Sequence, residues 1–193
     1  MRNLFCLAFL CFSMQTFSQE KSGPFGFEAG MTKEQIIKIV GDSAIKESKG
    51  DIFILTNAPQ AHSDFESYAL KISPENGLLK IIAMGKNIIN TNGHGNELKS
   101  AYKDMRAALV SIYGKPNHDL DLLNNGSIWF GPEDWMAAVL KGERIVSCAW
   151  MSIPLPNRIH LMRLDAAARS KEIGYLNLTY EFEGFEAYMN AKK

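Results

Sequence analysis

The sequence has few cysteines, no excess charge and few long apolar stretches, and each shortage excludes a class of protein. Its 193 residues include three cysteines, 21 basic and 21 acidic residues, and 46% hydrophobic residues. Zero net charge argues against a dedicated nucleic-acid binder, and the apolar content is too high for a disordered chain. Because the only long apolar run is at the N-terminus, we predict no membrane span in the mature protein.

The N-terminal segment has the pattern of a secretory signal peptide, which we assign to residues 1–18. Arg2 supplies a positive start, an apolar run follows, and small residues at Thr16 and Ser18 suit a cleavage before Gln19. We therefore expect an exported protein, either periplasmic or secreted. Residues after the cleavage site, up to position 29, would lead into the folded domain.

Removal of this segment would also remove two of the three cysteines. Bacterial lipidation uses a small residue directly before the modified cysteine, whereas Phe5 precedes Cys6 and Leu10 precedes Cys11. We therefore predict no lipid anchor. Cys148 would be the only thiol of the mature chain, which excludes an internal disulfide although an exported protein could form one.

Two amphipathic helices open the two halves of the remaining chain, residues 30–193. Thr32 and Gln35 form a predicted capping box for the first helix, and Gly41 suits its end. The second helix is predicted to be capped by Asn96 and to end at Gly114. Its apolar stripe steps by three and four residues through Leu98, Tyr102, Met105, Leu109 and Ile112.

Alternating segments predict an antiparallel sheet, so the fold class is α+β, with helices packed on one face of the sheet. Strands are expected over residues 52–56, 68–72, 78–84, 145–151, 159–166 and 175–183. In the last strand, Leu176, Leu178, Tyr180 and Phe182 alternate with polar residues, which indicates one buried and one wet face. A short helix over residues 132–140 would turn Trp135, Met136 and Val139 inward.

A weak internal repeat suggests two tandem half-units, each a helix followed by strands, over residues 30–90 and 96–193. Residues 36–42 align with residues 109–115 at an offset of 73, and both segments end a helix at glycine. Any two amphipathic helices that stop at glycine would match in this way, so coincidence is the alternative to duplication.

These motifs resemble three groups of bacterial proteins. Residues 30–35, followed by the first helix, resemble the opening of the small outer-membrane-assembly lipoproteins, and the repeated helix-then-sheet unit is similar to the β-lactamase inhibitor proteins. The order of residues 77–81, 113–116 and 174–182 resembles uncharacterised bacterial secreted proteins over most of residues 25–185. The resemblance implies an α+β architecture and an envelope location, and it transfers no functional residue to this chain.

The clearest candidate for catalysis is Cys148 with His160 as its base. A short hairpin between their strands would set Cys148 opposite Leu161 and His160 opposite Ala149. Because side chains alternate along a strand, this register directs the thiol and the imidazole to opposite faces. We therefore interpret Cys148 as a buried core residue.

Metal and phosphate motifs are incomplete. Asn117, Asp119 and Asp121 match the first ligands of a calcium loop, but Leu122 and Ile128 stand where its glycine and bidentate acid belong. The histidines, His62, His94, His118 and His160, have no zinc-site spacing. The loop at residues 92–96 has two glycines but lacks the third glycine of the dinucleotide fingerprint and the Gly-Lys-Ser/Thr of a P-loop. We predict no cofactor.

This lack of reactive groups favours a non-enzymatic module that binds another protein in the bacterial envelope, as an inhibitor, an immunity-type neutraliser or an assembly accessory. Large aromatic residues that remain exposed would be its contacts, and the candidates are Phe25, Phe27, Trp129, Phe130 and Trp135. The alternatives are a carrier that holds a small ligand or lipid between sheet and helices, and a hydrolase that uses Cys148 and His160. We expect no nucleic-acid partner.

Overall fold

The structure, a computed structural model, describes residues 23–192, so the predicted signal peptide and the Ser18–Gln19 cleavage site lie outside it. The described residues form four α-helices and nine strands, which confirms the α+β class with an antiparallel sheet. The helices are α1 (Lys33–Val40), α2 (Asn96–Tyr113), α3 (Trp135–Leu140) and α4 (Phe185–Ala191). The strands are β1 (Ile45–Lys49), β2 (Ile52–Leu55), β3 (Phe65–Ser73), β4 (Gly77–Gly85), β5 (Ile88–Ile89), β6 (His118–Leu123), β7 (Arg144–Met151), β8 (Ile159–Ala168) and β9 (Ile173–Phe182). None of these helices combines the length and the apolarity that a bilayer crossing needs.

All nine strands belong to one antiparallel sheet in the order β1-β2-β3-β4-β9-β8-β7-β6, and β5 adds a short pair to β9. The strand order is symmetric about the centre of the sheet. Strands β1–β4 follow α1 and form one meander, strands β6–β9 follow α2 and form another, and the last strands of the two meanders, β4 and β9, pair at the centre. The predicted unit boundaries, residues 30–90 and 96–193, stay a prediction.

The two leading helices end in the same way. Gly41 and Gly114 both have φ of 79°, with extended ψ values of 154° and −172°. The backbone N–H of each glycine donates to the carbonyl four residues earlier, at Ile37 and Val110. L-residues rarely adopt this backbone conformation, so glycine is required at both positions. The predicted alignment at an offset of 73 therefore matches in local geometry.

The starts of the helices follow the sequence prediction at α1 and depart from it at α2. Thr32 and Gln35 form the capping box, with N–H to side-chain oxygen distances of 3.3 and 2.8 Å. Asn96 does not cap α2, because Gly95 occupies the cap position in a left-handed conformation. The buried side chain of Asn90 instead accepts the N–H of Leu98 at 3.1 Å.

One face of the sheet carries the hydrophobic core. A row of paired residues crosses it from Tyr68 through Ala83, Leu178 and Leu164 to Cys148, and all five are buried. Helices α1, α2 and α3 pack on this face and bury, among others, Ile36, Leu98, Tyr102, Met105, Leu109, Trp135, Met136 and Val139. Three helices therefore cover one face, as predicted.

The last position of the predicted α2 stripe is wrong, since Ile112 is 68% exposed. Leu109, Val110 and Tyr113 pack against the core instead. Successive helical residues are separated by about 100°, so these three define a face from which Ile112 points away.

Helix α4, which the sequence analysis did not predict, lies on the opposite face of the sheet. Phe185 and Met189 line a groove of about 260 Å³ with Ile52 and Ile82, which point away from the core. The ammonium of Lys80 lies 4.8 Å from the centroid of the Phe185 ring. The first half of the sheet is thus partly covered on both faces.

Asp51, in the turn between β1 and β2, attaches α4 to the sheet. Its carboxylate accepts hydrogen bonds from the Lys192 ammonium at 2.8 Å, from the Tyr188 hydroxyl, and from the Lys71 ammonium at 3.1 Å. These donors, Lys192 first and Tyr188 next, hold the pKa of the Asp51 carboxyl well below its ordinary value of 3.8. The ionised carboxylate therefore stabilises the packed position of α4.

We predict that Asp51→Asn lowers the free energy of unfolding at pH 7 by about 1–3 kcal/mol, because it removes charge-assisted hydrogen bonds. A carboxyl whose native pKa is lowered stabilises fully above its unfolded-state pKa, about 3.9, and this contribution is lost as the pH falls toward the native pKa. Urea unfolding from pH 7 to pH 3 should show the gap between wild type and variant narrowing below about pH 4. Asp104→Asn, at an exposed position of α2, is the control. A gap that stays constant to pH 3 would contradict this role of Asp51.

Candidate functional site

The second half of the sheet carries three exposed apolar side chains on the face opposite the core. Leu120 and Leu122 of β6 and Ile145 of β7 are 48%, 53% and 42% exposed. Leu122 pairs with Ile145, and Leu120 pairs with Ser147, so their side chains point away from buried Cys148. We call Leu120, Leu122 and Ile145 the β6–β7 patch. No helix in the described part of the chain covers it.

The loop between β6 and α3, residues 124–131, adds two more exposed apolar side chains at this end of the sheet. Ile128 is 71% exposed and Phe130 is 81% exposed. Between them, Trp129 is partly buried, with the Lys171 ammonium 5.3 Å from its ring centroid. Because Lys171 lies in the turn between β8 and β9, this contact keeps the loop beside the ends of the strands.

Of the five aromatic residues proposed as partner contacts, three pack inside the protein. Phe27 is 0% exposed and Trp135 is 4% exposed, so neither ring is an exposed apolar contact. Phe25 is partly buried, and its ring lies 5.5, 5.0 and 5.9 Å from the rings of Phe65, Tyr68 and Tyr180. Large aromatic side chains dominate core burial, and the sequence could not separate these three from surface residues. Trp129 and Phe130 stay candidates.

Strand β6 is an edge of the sheet with free backbone groups. The Asn124 N–H donates to the Glu143 carbonyl at 2.7 Å, and the β6–β7 register is unbroken. In an antiparallel ladder, alternate residues bond to the neighbouring strand. The N–H and C=O groups of Asp119, Asp121 and Leu123 therefore point outward, where no described residue forms a hydrogen bond with them.

The other edge of the sheet is better protected. Strand β1 carries the charged residues Lys46, Glu47 and Lys49, and its register with β2 is broken by a bulge between Ile45 and Glu47. Charges and bulges at an edge discourage pairing with another chain. Strand β6 has neither a bulge nor an uncompensated charge next to its exposed leucines.

An open cleft of about 500 Å³ lies beside β6 on the core side of the sheet, below α2 and α3. It is lined by Lys99, Tyr102, Asp119, Leu120, Asp121, Trp135 and Val146. Strand β6 contributes Asp119, Leu120 and Asp121 to this lining. Because side chains alternate along a strand, the Leu120 side chain points to the opposite face, so Leu120 lines the cleft with its backbone and the two aspartates line it with their carboxylates. We call it the α2–β6 cleft.

Charges in the α2–β6 cleft do not balance. Both carboxylates are in ion pairs, Asp119 with Arg106 and Asp121 with Arg144, the latter at 2.7 Å. No described carboxylate forms an ion pair with Lys99, whose ammonium lies 4.6 Å from the Trp135 ring centroid. Partial burial and the nearby Arg144 lower the pKa of Lys99. One positive charge is left without a carboxylate.

One buried hydrogen-bond donor in the wall of the α2–β6 cleft also lacks an acceptor. The Trp135 Nε1–H has no hydrogen-bond partner, although Trp135 is only 4% exposed. The nearby Tyr102 hydroxyl interacts instead with the Cys148 thiol; burial first, and then this interaction, raise the pKa of Tyr102 far above its ordinary value. Buried polar groups are normally satisfied, so an unpaired donor in the cleft indicates an acceptor from outside.

The proposed Cys148–His160 pair does not form. Cys148 lies opposite Leu164 and not opposite Leu161, so the predicted register is wrong by three residues. The cause is a longer connection, because Met151 pairs with Leu161, which leaves residues 152–160 between the paired residues. Cys148 is 1% exposed whereas His160 is exposed. Burial raises the pKa of the Cys148 thiol and disfavours the nucleophilic thiolate.

Side chains that partly match a calcium loop are engaged elsewhere. Asn117 exchanges two hydrogen bonds with the backbone of Met151, at 2.7 and 3.1 Å, and the two aspartates have their arginine partners. Within residues 23–192, no three His, Cys, Asp or Glu side chains are placed to hold a metal ion.

Comparison of the chain with known protein families, curated proteins and solved structures gives no match. Conclusions about function therefore depend on the geometry of the β6–β7 patch, the following loop and the α2–β6 cleft.

Sequence reasoning identified Trp129 and Phe130 and missed the leucines of β6 and Lys99. A signal for the leucines was present, because residues 119–122 alternate aspartate and leucine as a two-faced strand would. When these aspartates are considered only as candidate calcium ligands, the apolar side of that alternation goes unnoticed. Lys99 had no comparable signal, since its position in the cleft depends on how α2 packs.

We predict that the Cys148 thiol is protected in the native protein, prepared as the chain from Gln19 onward. Its reaction with a thiol-specific disulfide reagent at pH 8 should be at least about 100-fold slower than in denaturing urea, because the thiolate is both buried and disfavoured. The absorbance of the released chromophore gives both rates. Reaction at the denatured rate under native conditions would contradict the burial of Cys148.

Proposed function

We propose that the protein is a non-enzymatic, exported module of the bacterial envelope that binds a protein partner through the β6–β7 patch and the loop that follows β6. The observation that carries this proposal is five large apolar side chains, 42–81% exposed, on two adjoining segments: Leu120, Leu122, Ile128, Phe130 and Ile145. Several exposed apolar residues on neighbouring segments, with an aromatic residue among them, are typical of protein interfaces. The role would be that of an inhibitor, an immunity-type neutraliser or an assembly accessory.

The other two classes have less support. An apolar carrier would need an enclosed cavity of roughly 300–1,000 Å³. The groove under α4 measures about 260 Å³. The α2–β6 cleft, of about 500 Å³, is open and lined by charged Lys99, Asp119 and Asp121, and the cavity of about 590 Å³ near the start of α1 is lined by charged Lys33, Glu34, Asp51 and Lys192. A hydrolase would need an accessible thiol beside its base, whereas Cys148 is buried and His160 is exposed.

We predict that the double variant Ile128→Ser, Phe130→Ser reduces capture of the partner at least about tenfold, since loss of an apolar anchor costs more than 1.4 kcal/mol. The chain from Gln19 onward is immobilised, incubated with an envelope extract of its own organism, and analysed by quantitative mass spectrometry. Both positions are exposed, so folding should be unaffected.

Ile112→Ser is the matched control, because Ile112 is 68% exposed but lies on α2, outside the patch and the loop. It should leave capture unchanged. Equal loss in the control and the double variant, or a small molecule that co-purifies stoichiometrically while no protein does, would refute the proposed function.

A further inference from the structure

We propose that the partner contributes an extended segment, which adds a strand to the outer edge of β6 and places one carboxylate in the α2–β6 cleft. This inference rests on the binding function proposed above and specifies the chemistry of the partner. It combines two independent observations: the free edge of β6 and the unpaired donors of the cleft.

The edge supplies the backbone part of the interaction. Asp119, Asp121 and Leu123 each present an outward N–H and C=O, so an added strand could form up to six main-chain hydrogen bonds with β6. Recognition by strand addition obtains affinity from such bonds and specificity from alternate side chains. The contrast with β1, which is charged and bulged, selects β6 as the edge that can accept a strand.

Alternation then determines what the added strand must carry. Directly paired residues in a sheet point to the same face. Every second side chain of the added strand would therefore lie beside Leu120 and Leu122 on the open face, and these positions should be apolar. The intervening side chains would point toward the α2–β6 cleft.

Charge complementarity determines the group that enters the cleft. With Asp119 and Asp121 in ion pairs and the Tyr102 hydroxyl beside the Cys148 thiol, the remaining groups are the Lys99 ammonium and the Trp135 Nε1–H. One carboxylate would neutralise Lys99 and accept a hydrogen bond from the Trp135 Nε1–H. A basic side chain would be repelled by Lys99 and would leave the Trp135 donor unpaired.

A second copy of this chain fits the same edge poorly. Two-fold pairing of β6 with its copy, with the open faces continuous, sets Leu120 opposite Leu120 and Asp119 opposite Asp121, or Asp121 opposite itself. Both aspartates are held in ion pairs with Arg106 and Arg144, so a copy offers no unpaired carboxylate at the alternate positions of β6. The occupant is therefore a segment of a different protein.

Synthetic peptides titrated into the ¹⁵N-labelled mature protein test the carboxylate. The probe is a capped octapeptide that alternates valine and threonine, with one central threonine replaced by glutamate; its partner peptide carries glutamine there. We expect the glutamate peptide to shift the amide signals of Asp119, Asp121 and Leu123 and to bind about fivefold more tightly than the glutamine peptide.

Lys99→Gln should reduce this preference to less than about twofold. Lys103→Gln is the matched control, because Lys103 lies one helical turn further along α2, is exposed and does not line the cleft. It should keep the fivefold preference. Equal binding of both peptides to wild type, or equal loss of preference in both lysine variants, would overturn the assignment of the carboxylate to the cleft.

Two further glutamate peptides, N-methylated on alternate residues, test the added strand. Only one edge of the peptide would face β6, so one methylated peptide should bind like the parent and the other should lose binding at least about tenfold. Equal binding of the two would exclude strand addition.

Failure of this inference can be separated from failure of the proposed function. If no peptide binds, or if the shifted amides lie away from β6, the inference is overturned. Partner capture that still depends on Ile128 and Phe130 would then leave the binding function intact, whereas capture that does not depend on them refutes that function directly.

Discussion

The pairing of β4 with β9 is the constraint on which the rest of the structure depends. Five residue pairs join these strands, among them Ile81 with Tyr180 and Lys80 with Glu181, whose side chains form an ion pair at 2.8 Å. The paired residues are about a hundred positions apart in the sequence. Without this contact, each meander would end in an exposed central edge. With it, the two halves share one sheet and one hydrophobic core.

Unequal covering of the two faces follows from this arrangement. Helices α1–α3 bury the core face along both halves, whereas α4 covers the opposite face only where β2, β3 and β4 carry Ile52, Ala69 and Ile82. At the far end, β6 keeps one free edge and the exposed Leu120 and Leu122. The backbone and side-chain groups without partners are thus concentrated at the end of the sheet farthest from α4.

Local patterns predicted the elements that are governed by local physics. The structure contains the predicted α1 capping box, the buried positions of α2 up to Leu109 and the alternation of β9. These features were predictable because capping and periodicity depend on residues that are close together in the sequence. β1, β5, β6 and α4 were not predicted, since they are short or polar and depend on packing. The β7–β8 register was wrong because residues 152–160 form a longer connection than the short hairpin assumed from the sequence.

The candidate site was only partly predictable for the same reason. Composition identified the aromatic residues, and burial alone separates Phe130 from Phe27 and Trp135. Alternation in β6 shows that two faces exist, but the strand order decides that β6 is an edge and that its apolar face is uncovered. The unpaired donors of the α2–β6 cleft depend on contacts between α2, α3 and the sheet, which a single sequence does not specify.

Hydrogen exchange of the chain from Gln19 onward, followed residue by residue by NMR, tests the account most directly. The account predicts that amides of β4 and β9 exchange slowest, because they lie at the centre of one continuous sheet. Along β6, it predicts that the amides of Asp119, Asp121 and Leu123 exchange at least about 100-fold faster than those of Leu120 and Leu122, which bond to β7. Fast exchange throughout β4 and β9, or uniform protection along β6, would contradict a single sheet with one uncovered edge.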